Sequence, residues 1–375
     1  MSARMREKLE EALFPPVVAL LVALICGDLL IMSYGQSPAT VYRLLLEGTW
    51  GNAYGFGQVL YKATTLTFTG LAVSIGIRAG LFNVGAESQL AAGGFLAGLL
   101  GLALSPSFPL ALAIPACILA AAVGGGLVGA VPGYLKVRFG AHEVIVTIML
   151  NFVVLALLNW IVAGHLHVPE TLHTPEIRNG GIARLSSFIP AFHGSAANLT
   201  IVVALITTGL LWLHLFRSRR GYELRAVGLQ PEVAEYGGVK VGSTLMRAMI
   251  LSGAIAGLGG INYVLGYKGY YEEGFAGGAG FLGIAVALVG RNHPVGVVIA
   301  ALFFATLSQG GLAIHALVPK QLVDVLQGVV ILAVAMSVPE VCSALLPAPP
   351  PTAASTPPRP SPQCSGSKLP VPSRR

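Results

Sequence analysis

Residues 81–89 read Leu-Phe-Asn-Val-Gly-Ala-Glu-Ser-Gln and lie between two long apolar stretches, 58–77 and 90–104. Carboxylate and amide side chains at membrane depth are costly in free energy, so they normally face the interior of a helix bundle or a water-filled path. Gly80 and Gly85 can break a helix at this point. A polar interruption of this kind is typical of a solute-handling site in a transporter.

The composition is that of a chain that largely avoids water. Of 375 residues, 54% are hydrophobic and 10% are charged, whereas soluble domains average about 25% charged residues. The 47 glycines suit transmembrane helices that pack closely. The net charge of +7 is better explained by cytoplasmic loops than by nucleic-acid binding. The composition therefore predicts an all-α integral membrane protein in a lipid bilayer, with no nucleic-acid partner.

Hydropathy predicts about ten transmembrane helices, because a span needs roughly 20 apolar residues unless it is tilted or broken. The eighth segment is too short to cross alone and follows a glycine-rich stretch, which predicts a broken or re-entrant element. The predicted segments are 16–34, 57–77, 85–104, 108–131, 143–163, 198–216, 244–264, 280–291, 294–315 and 321–338.

Basic residues predict the orientation. The densest cluster between two spans lies in residues 217–247, and the N-terminal arm is also basic, whereas the loop 164–197 holds only two arginines. The positive-inside rule then places both termini in the cytoplasm. We divide the chain into a cytoplasmic arm (1–15), a transmembrane domain (16–340) and a Pro-rich, disordered tail (341–375).

Two sets of four spans are related in this topology. Spans two to five and seven to ten would run in opposite directions and form an inverted repeat, a common plan for transporters with a site near mid-membrane. The interrupted elements at 81–89 and 274–291 occupy corresponding places in the two halves.

The polar string 81–89 has two interpretations. It is a cytoplasmic turn in which Glu87 pairs with Arg78, or a helix break in which Asn83 and Gln89 offer donors and acceptors to hydroxyls or base edges. The two do not exclude each other. Asn151, in the fifth span, either lines a path or joins two helices by a hydrogen bond.

Residues 221–239 are the second informative segment. Pro231 suits the first turn of a short helix, with the acidic Glu232 at its favoured end and Gly237–Gly238 as its stop. In the largest cytoplasmic loop, such a helix is either a docking surface for a soluble partner or an ordinary solvated loop.

Catalytic and metal-binding patterns are not found in the sequence. It contains no phosphate-cradling Gly-x-x-x-x-Gly-Lys-Ser/Thr string and no nucleophile elbow. The histidines of the loop 164–197 have no acidic cluster beside them, so we expect no metal site. We therefore expect a non-enzymatic protein.

Four segments resemble one family: Gly80–Gln89, His142–Asn151, Leu224–Pro231 and Gly283–Gly296. They are similar to the permease subunits of bacterial ABC importers. Within these, they are closest to the nucleoside and simple-sugar branch, which is related to ribose and branched-chain amino-acid permeases. The resemblance covers roughly residues 10–340. Ser88, His142 and His293 depart from the residues common in that family, which leaves the solute open.

The resemblance implies a multi-pass permease of the bacterial plasma membrane that binds no ATP or Mg²⁺ itself. It implies three partners: ATP-binding cassette subunits, a second permease (identical or different) and an extracytoplasmic solute-binding protein. The implied solute is small and polar, a nucleoside or a simple sugar; a stand-alone secondary transporter or channel is the alternative. The candidate path residues are Asn83, Glu87, Gln89, Asn151 and Phe281, and the candidate ATPase-coupling residues are Arg225, Gly228, Glu232 and Tyr236.

Overall fold

The computed structural model describes residues 24–315 and 317–336. The predicted arm 1–15 and the predicted tail 341–375 lie outside the described residues. Within the described ranges, the regular structure is helical apart from two isolated β-bridges, His173 with Glu272 and Arg184 with Asn198. This agrees with the predicted all-α class.

The helices follow the predicted order. Two of them continue into short π-helical turns, Val162–Leu166 after α6 and Val264–Lys268 after α10. In chain order the helices are α1 (Leu24–Ser33), α2 (Pro38–Thr49), α3 (Ala53–Arg78), α4 (Ala86–Ala103), α5 (Leu110–Phe139), α6 (Glu143–Ile161), α7 (Thr200–Arg217), α8 (Arg219–Leu229), α9 (Pro231–Tyr236), α10 (Val241–Tyr263), α11 (Ala279–Val289), α12 (Pro294–Ala313) and α13 (Lys320–Met336).

Five helices of the described part are long and apolar enough to cross a membrane: α5, α6, α7, α10 and α12. They coincide with the fourth, fifth, sixth, seventh and ninth predicted spans. Helix α11 has 11 residues and is short, as the sequence predicts. The protein is therefore a multi-pass membrane protein, while the count of ten spans and the inverted repeat stay predictions.

Helix α3 lies inside the bundle, packed against α10, α11 and α12. Neighbouring helices enclose it, so it tolerates polar residues that a lipid-facing helix would not. The hydroxyls of Thr64 and Thr67 each donate to the carbonyl oxygen four residues earlier in α3, at 2.8 and 2.7 Å. Their polar groups are thus satisfied without a partner on another helix.

Glycines bring α4, α5 and α10 into backbone contact. A Cβ added at Gly125 in α5 would clash with the carbonyl oxygen of Gly253 in α10, and one added at Gly93 in α4 would clash with Gly257 in α10. In lipid, small residues at helix crossings let dispersion forces act over a long contact because the backbones approach closely. This crossing holds the centre of the bundle together.

Two helices were not among the predicted elements. Helix α2 is short and amphipathic, and its buried Val41 packs with Ile31 of α1 and Ile314. Helix α8 follows α7 after Ser218, whose hydroxyl accepts a hydrogen bond from the backbone N–H of Gly221 at 3.0 Å. A hydropathy scan for spans misses both because neither is apolar over 18 residues.

We expect Gly125→Ala to destabilise the protein by about 1–3 kcal/mol, because the new methyl group overpacks the α5–α10 crossing. Unfolding in mixed detergent micelles measures this loss. The matched control is Gly126→Ala in the next position, where an added Cβ has its nearest neighbour at 3.6 Å. Equal stability of the two variants would contradict the packing described here.

Candidate functional site

The amides of Asn83 and Gln89 form a reciprocal pair in the break between α3 and α4. Asn83 Nδ2 donates to Gln89 Oε1 at 2.8 Å, and Gln89 Nε2 donates to Asn83 Oδ1 at 3.1 Å. Asn83 Nδ2 also donates to the hydroxyl of Ser252 in α10, which donates in turn to the carbonyl oxygen of Ala72 in α3. Both amide residues are fully buried. The predicted polar string therefore ties α3, α4 and α10 together.

Asn151 holds the same break from the side of α6. Its Nδ2 donates to the carbonyl oxygen of Val84 at 3.0 Å, and its Oδ1 accepts from the backbone N–H of Ser88 at 3.1 Å. These are backbone groups that the missing helical turn leaves without partners. Asn151 therefore joins α6 to the break through two hydrogen bonds, and its role in a solute path stays a prediction.

Glu87 binds the start of α11. Its two carboxylate oxygens accept the backbone N–H groups of Gly278 and Gly280 at 2.8 and 2.6 Å. The residue is only 6% exposed. The predicted pairing with Arg78 is wrong, since Arg78 Nε instead donates to the carbonyl oxygen of Asn292 at 2.5 Å. A negative charge at a helix N-terminus is favourable because it meets free N–H groups and the positive end of the helix dipole.

Two helix starts meet at this point. Glu87 lies in the first turn of α4, and an added Cβ at Gly280 would clash with the backbone of Glu87. Gly278, just before α11, has φ +84°, a conformation that favours glycine. Helices α4 and α11 therefore begin side by side inside the bundle, with a single buried carboxylate between them.

A cavity of about 280 Å³ adjoins the start of α11. Its wall combines aromatic rings (Tyr61, Phe275) with the hydroxyls of Thr65 and Ser308, and none of its described lining residues is acidic. The amino group of Lys62 donates to the Ser308 hydroxyl at 3.3 Å. The cavity offers flat apolar faces beside neutral hydroxyls and the amino group of Lys62.

The structure brings four of the five candidate path residues together and sets the fifth apart. Asn83, Glu87, Gln89 and Asn151 all act within the break, whereas Phe281 is 48% exposed on α11 and does not line the cavity. Their role in a solute path stays a prediction.

The aromatic and hydroxyl residues of the cavity were not identified from the sequence, because single polar or aromatic residues within apolar spans carry no distinguishing pattern.

Among the coupling candidates, Gly228 makes the closest contact with the break. It lies in the last turn of α8, where an added Cβ would clash with the carbonyl oxygen of Arg78. From the other side, a Cβ added at Gly80 would lie 3.3 Å from the Cα of Gly228. The end of α8 thus touches the backbone that leads into the polar string, with no side chain between them.

Arg225 stacks on an aromatic ring beside that contact. The guanidinium carbons of Arg225 and Arg78 lie 5.3 and 5.2 Å from the ring centroid of Phe216, within the range of cation–π attraction. The ring of His293 lies 5.4 Å from the same Phe216 ring. Burial, and then the nearby Arg78 charge, lower the pKa of His293, so this ring is neutral at neutral pH.

Helix α9 begins at Pro231 and ends before Gly237, as predicted from the sequence. The coupling candidates Glu232 and Tyr236 are both exposed, Tyr236 at 95%. Val233 is exposed as well and lies three residues before Tyr236, so both are on one face of α9. Leu229, the last residue of α8, is also exposed. A short helix that presents such an apolar face to solvent is suited to contact a protein partner.

Comparison with known proteins gives a consistent result. Residues 55–335 match the family described as the permease component of branched-chain amino acid transport systems. The chain is similar to the guanosine ABC transporter permease protein NupP of Bacillus subtilis, with 38% identity over 87% of this chain and 93% of that protein. It is similar to the nucleoside permease protein NupB of Lactococcus lactis (29% identity; 86% and 90% covered) and to the glucose permease protein TsgB13 of Haloferax volcanii (32% identity; 84% and 85% covered). No solved structure matches.

We expect Glu87→Gln to destabilise the bundle by about 1.5–3 kcal/mol, because one amide oxygen cannot accept both N–H groups with the strength of a carboxylate. Reversible unfolding in mixed micelles measures the change. The control is Glu47→Gln, which removes an exposed pair with Arg43 that solvent screens, so we expect little change in stability. If both variants unfold alike, the Glu87 contact is not a main support of the fold.

Proposed function

This chain belongs to the permease family of branched-chain amino acid transport systems, and from that premise we propose that its solute is a nucleoside. The chain is a non-catalytic membrane subunit of an ABC importer. The stand-alone secondary transporter is set aside, since the relatives are named as ABC transporter permeases. The observation that carries the proposal is the cavity at the start of α11, in a chain 38% identical to a guanosine permease.

The chemistry of the cavity supports a nucleoside. The Tyr61 and Phe275 rings offer faces on which a base can stack, and the Thr65 and Ser308 hydroxyls can pair with ribose hydroxyls or base edges. The aromatic surface continues beyond the wall: Phe275 stacks on Tyr263, with ring centroids 4.9 Å apart. A hexose is the second candidate because a glucose permease is 32% identical to this chain, but it has no flat base to match these rings.

The remaining partners follow from the importer plan. We propose that ATPase subunits, which bind ATP and Mg²⁺, dock on the exposed Val233 and Tyr236 of α9 and on Leu229 at the end of α8. A solute-binding protein would deliver the nucleoside from outside. A second permease would cover the cavity, which reaches the surface of the single chain at the exposed Gly277.

Coupling would run through backbone contacts. Movement of α8 and α9 on the ATPase would push Gly228 against the turn at Arg78 and Gly80. That turn leads to Glu87, whose carboxylate holds the glycine turn before α11. Because Gly278 both binds Glu87 and lines the cavity, a shift of α8 changes the cavity wall. Two such arrangements with different affinities for the solute give alternating access.

The proposed architecture keeps ten spans in two inverted halves, spans two to five and seven to ten, within residues 16–340. The meeting of α4 and α11 supports it, since two broken elements in corresponding places would meet at the repeat interface. We propose that both termini are cytoplasmic, with α8 and α9 on the same side, because the basic residues are densest around them.

We expect Phe275→Leu to reduce uptake of labelled guanosine by about tenfold, because leucine keeps apolar bulk but removes a stacking face for the base. Proteoliposomes holding the complete importer and its solute-binding protein, supplied with ATP, measure the rate.

The matched control is Phe188→Leu, at an exposed position in the loop 164–197. We expect this substitution to leave uptake unchanged. Unlabelled glucose does not compete with guanosine. Full uptake by Phe275→Leu, or competition by glucose, argues against a nucleoside at this cavity.

The orientation has its own test. In a chain whose four native cysteines are replaced by alanine, we expect Tyr236→Cys to react with an impermeant maleimide only after the cells are permeabilised. Phe188→Cys, also exposed, is expected to react in intact cells. The reverse pattern would place α9 outside, beyond the reach of any ATPase, and would refute the coupling scheme.

A further inference from the structure

A second cavity, of about 210 Å³, lies where α7 ends and where α8 and α10 begin. Its charged rim is formed by Arg220, Arg247 and Glu223, with His214 beside them. Glu223 already accepts a hydrogen bond from Arg219 at 3.0 Å. Arg220 and Arg247 form no hydrogen bond or ion pair with any described residue. The rim therefore carries two guanidinium groups that form no ion pair within the described chain, beside the Glu223 carboxylate that Arg219 already binds.

The deeper wall of the same cavity is apolar and consists of Leu224, Ala248 and Leu251. Helix α7, which contributes His214 to the cavity, exposes Leu210 and Leu213 at 61% and 50% in its last two turns. Helix α7 is among those long and apolar enough to span the membrane, so these leucines face lipid or another membrane subunit. A molecule in the cavity would meet two guanidinium groups at one end and hydrocarbon at the other.

We propose that this cavity binds the phosphate headgroup of an anionic phospholipid. Arginine binds phosphate oxygens through two parallel N–H donors, which makes it suited to such a headgroup. Basic pockets between transmembrane helices on the cytoplasmic side are a known setting for this recognition. On the orientation proposed above, the lipid comes from the inner leaflet. The bound lipid braces α8 against α7 and α10, beside the contact of Gly228 with the α3–α4 turn.

The test measures binding of fluorescent phosphatidylglycerol to the complete importer in an uncharged detergent, without nucleoside or ATP. We expect the double variant Arg220→Gln, Arg247→Gln to lose at least about tenfold in affinity, because charge-assisted hydrogen bonds are removed. The variant Arg220→Lys, Arg247→Lys keeps the charge and retains part of the affinity, which separates loss of the site from loss of the fold.

The matched control is Arg217→Gln with Lys240→Gln, which removes the same charge from exposed positions of the same region, outside the cavity. It leaves the affinity unchanged. Equal loss in the two glutamine variants, or equal binding of phosphatidylcholine, overturns the proposal. Displacement of the lipid by inorganic phosphate also overturns it, in favour of a soluble anion. None of these outcomes depends on which solute is transported.

Discussion

The carboxylate of Glu87 satisfies the start of one helix while its own backbone forms the start of another. Each helix that begins inside a bundle leaves N–H groups without partners, and hydrocarbon supplies none. A buried carboxylate is itself costly, and here two backbone N–H groups of the α11 start offset that cost. Three further backbone groups of the break are bound by side-chain amides: the N–H of Gly85 by Asn83, and the carbonyl of Val84 and the N–H of Ser88 by Asn151. The position of α11, and with it the wall of the cavity at its start, depends on this arrangement.

The sequence predicts the places where helices begin more accurately than the contacts those beginnings make. Helix α4 starts at Ala86 and α11 at Ala279, each one residue from the predicted boundary, and α9 starts at Pro231 as predicted. Apolar length and glycine or proline signals are local, so they can be read from one chain. The partner of Glu87 is a pair of backbone N–H groups 191 and 193 residues away. No side-chain type identifies such a partner in a sequence. The sequence therefore indicated Arg78, the nearby cation, as the partner of Glu87.

Helix α2 and the residues of the cavity could not be predicted from the sequence. Helix α2 is too short and too polar for a hydropathy scan, and only its packing with α1 and Ile314 fixes it. The cavity residues Tyr61, Thr65, Phe275 and Ser308 come from three distant parts of the chain, since only Tyr61 and Thr65 share a helix. They become a site only when α3, α11 and α12 pack together. The short helix α9 was predicted with its correct start and end, and the structure shows that Val233 within it and Leu229 just before it are exposed. The role of this segment in coupling stays a prediction.

The threonines of α3 affect the energy that is needed for water to enter the interior of the protein. Because Thr64 and Thr67 bond to carbonyl oxygens of their own helix, separating α3 from a neighbour breaks no hydrogen bond of theirs between helices. Water that enters would find hydroxyl oxygens with lone pairs still free to accept. On the proposed transport function, a passage that opened along α3 would break no interhelical hydrogen bond of these two threonines.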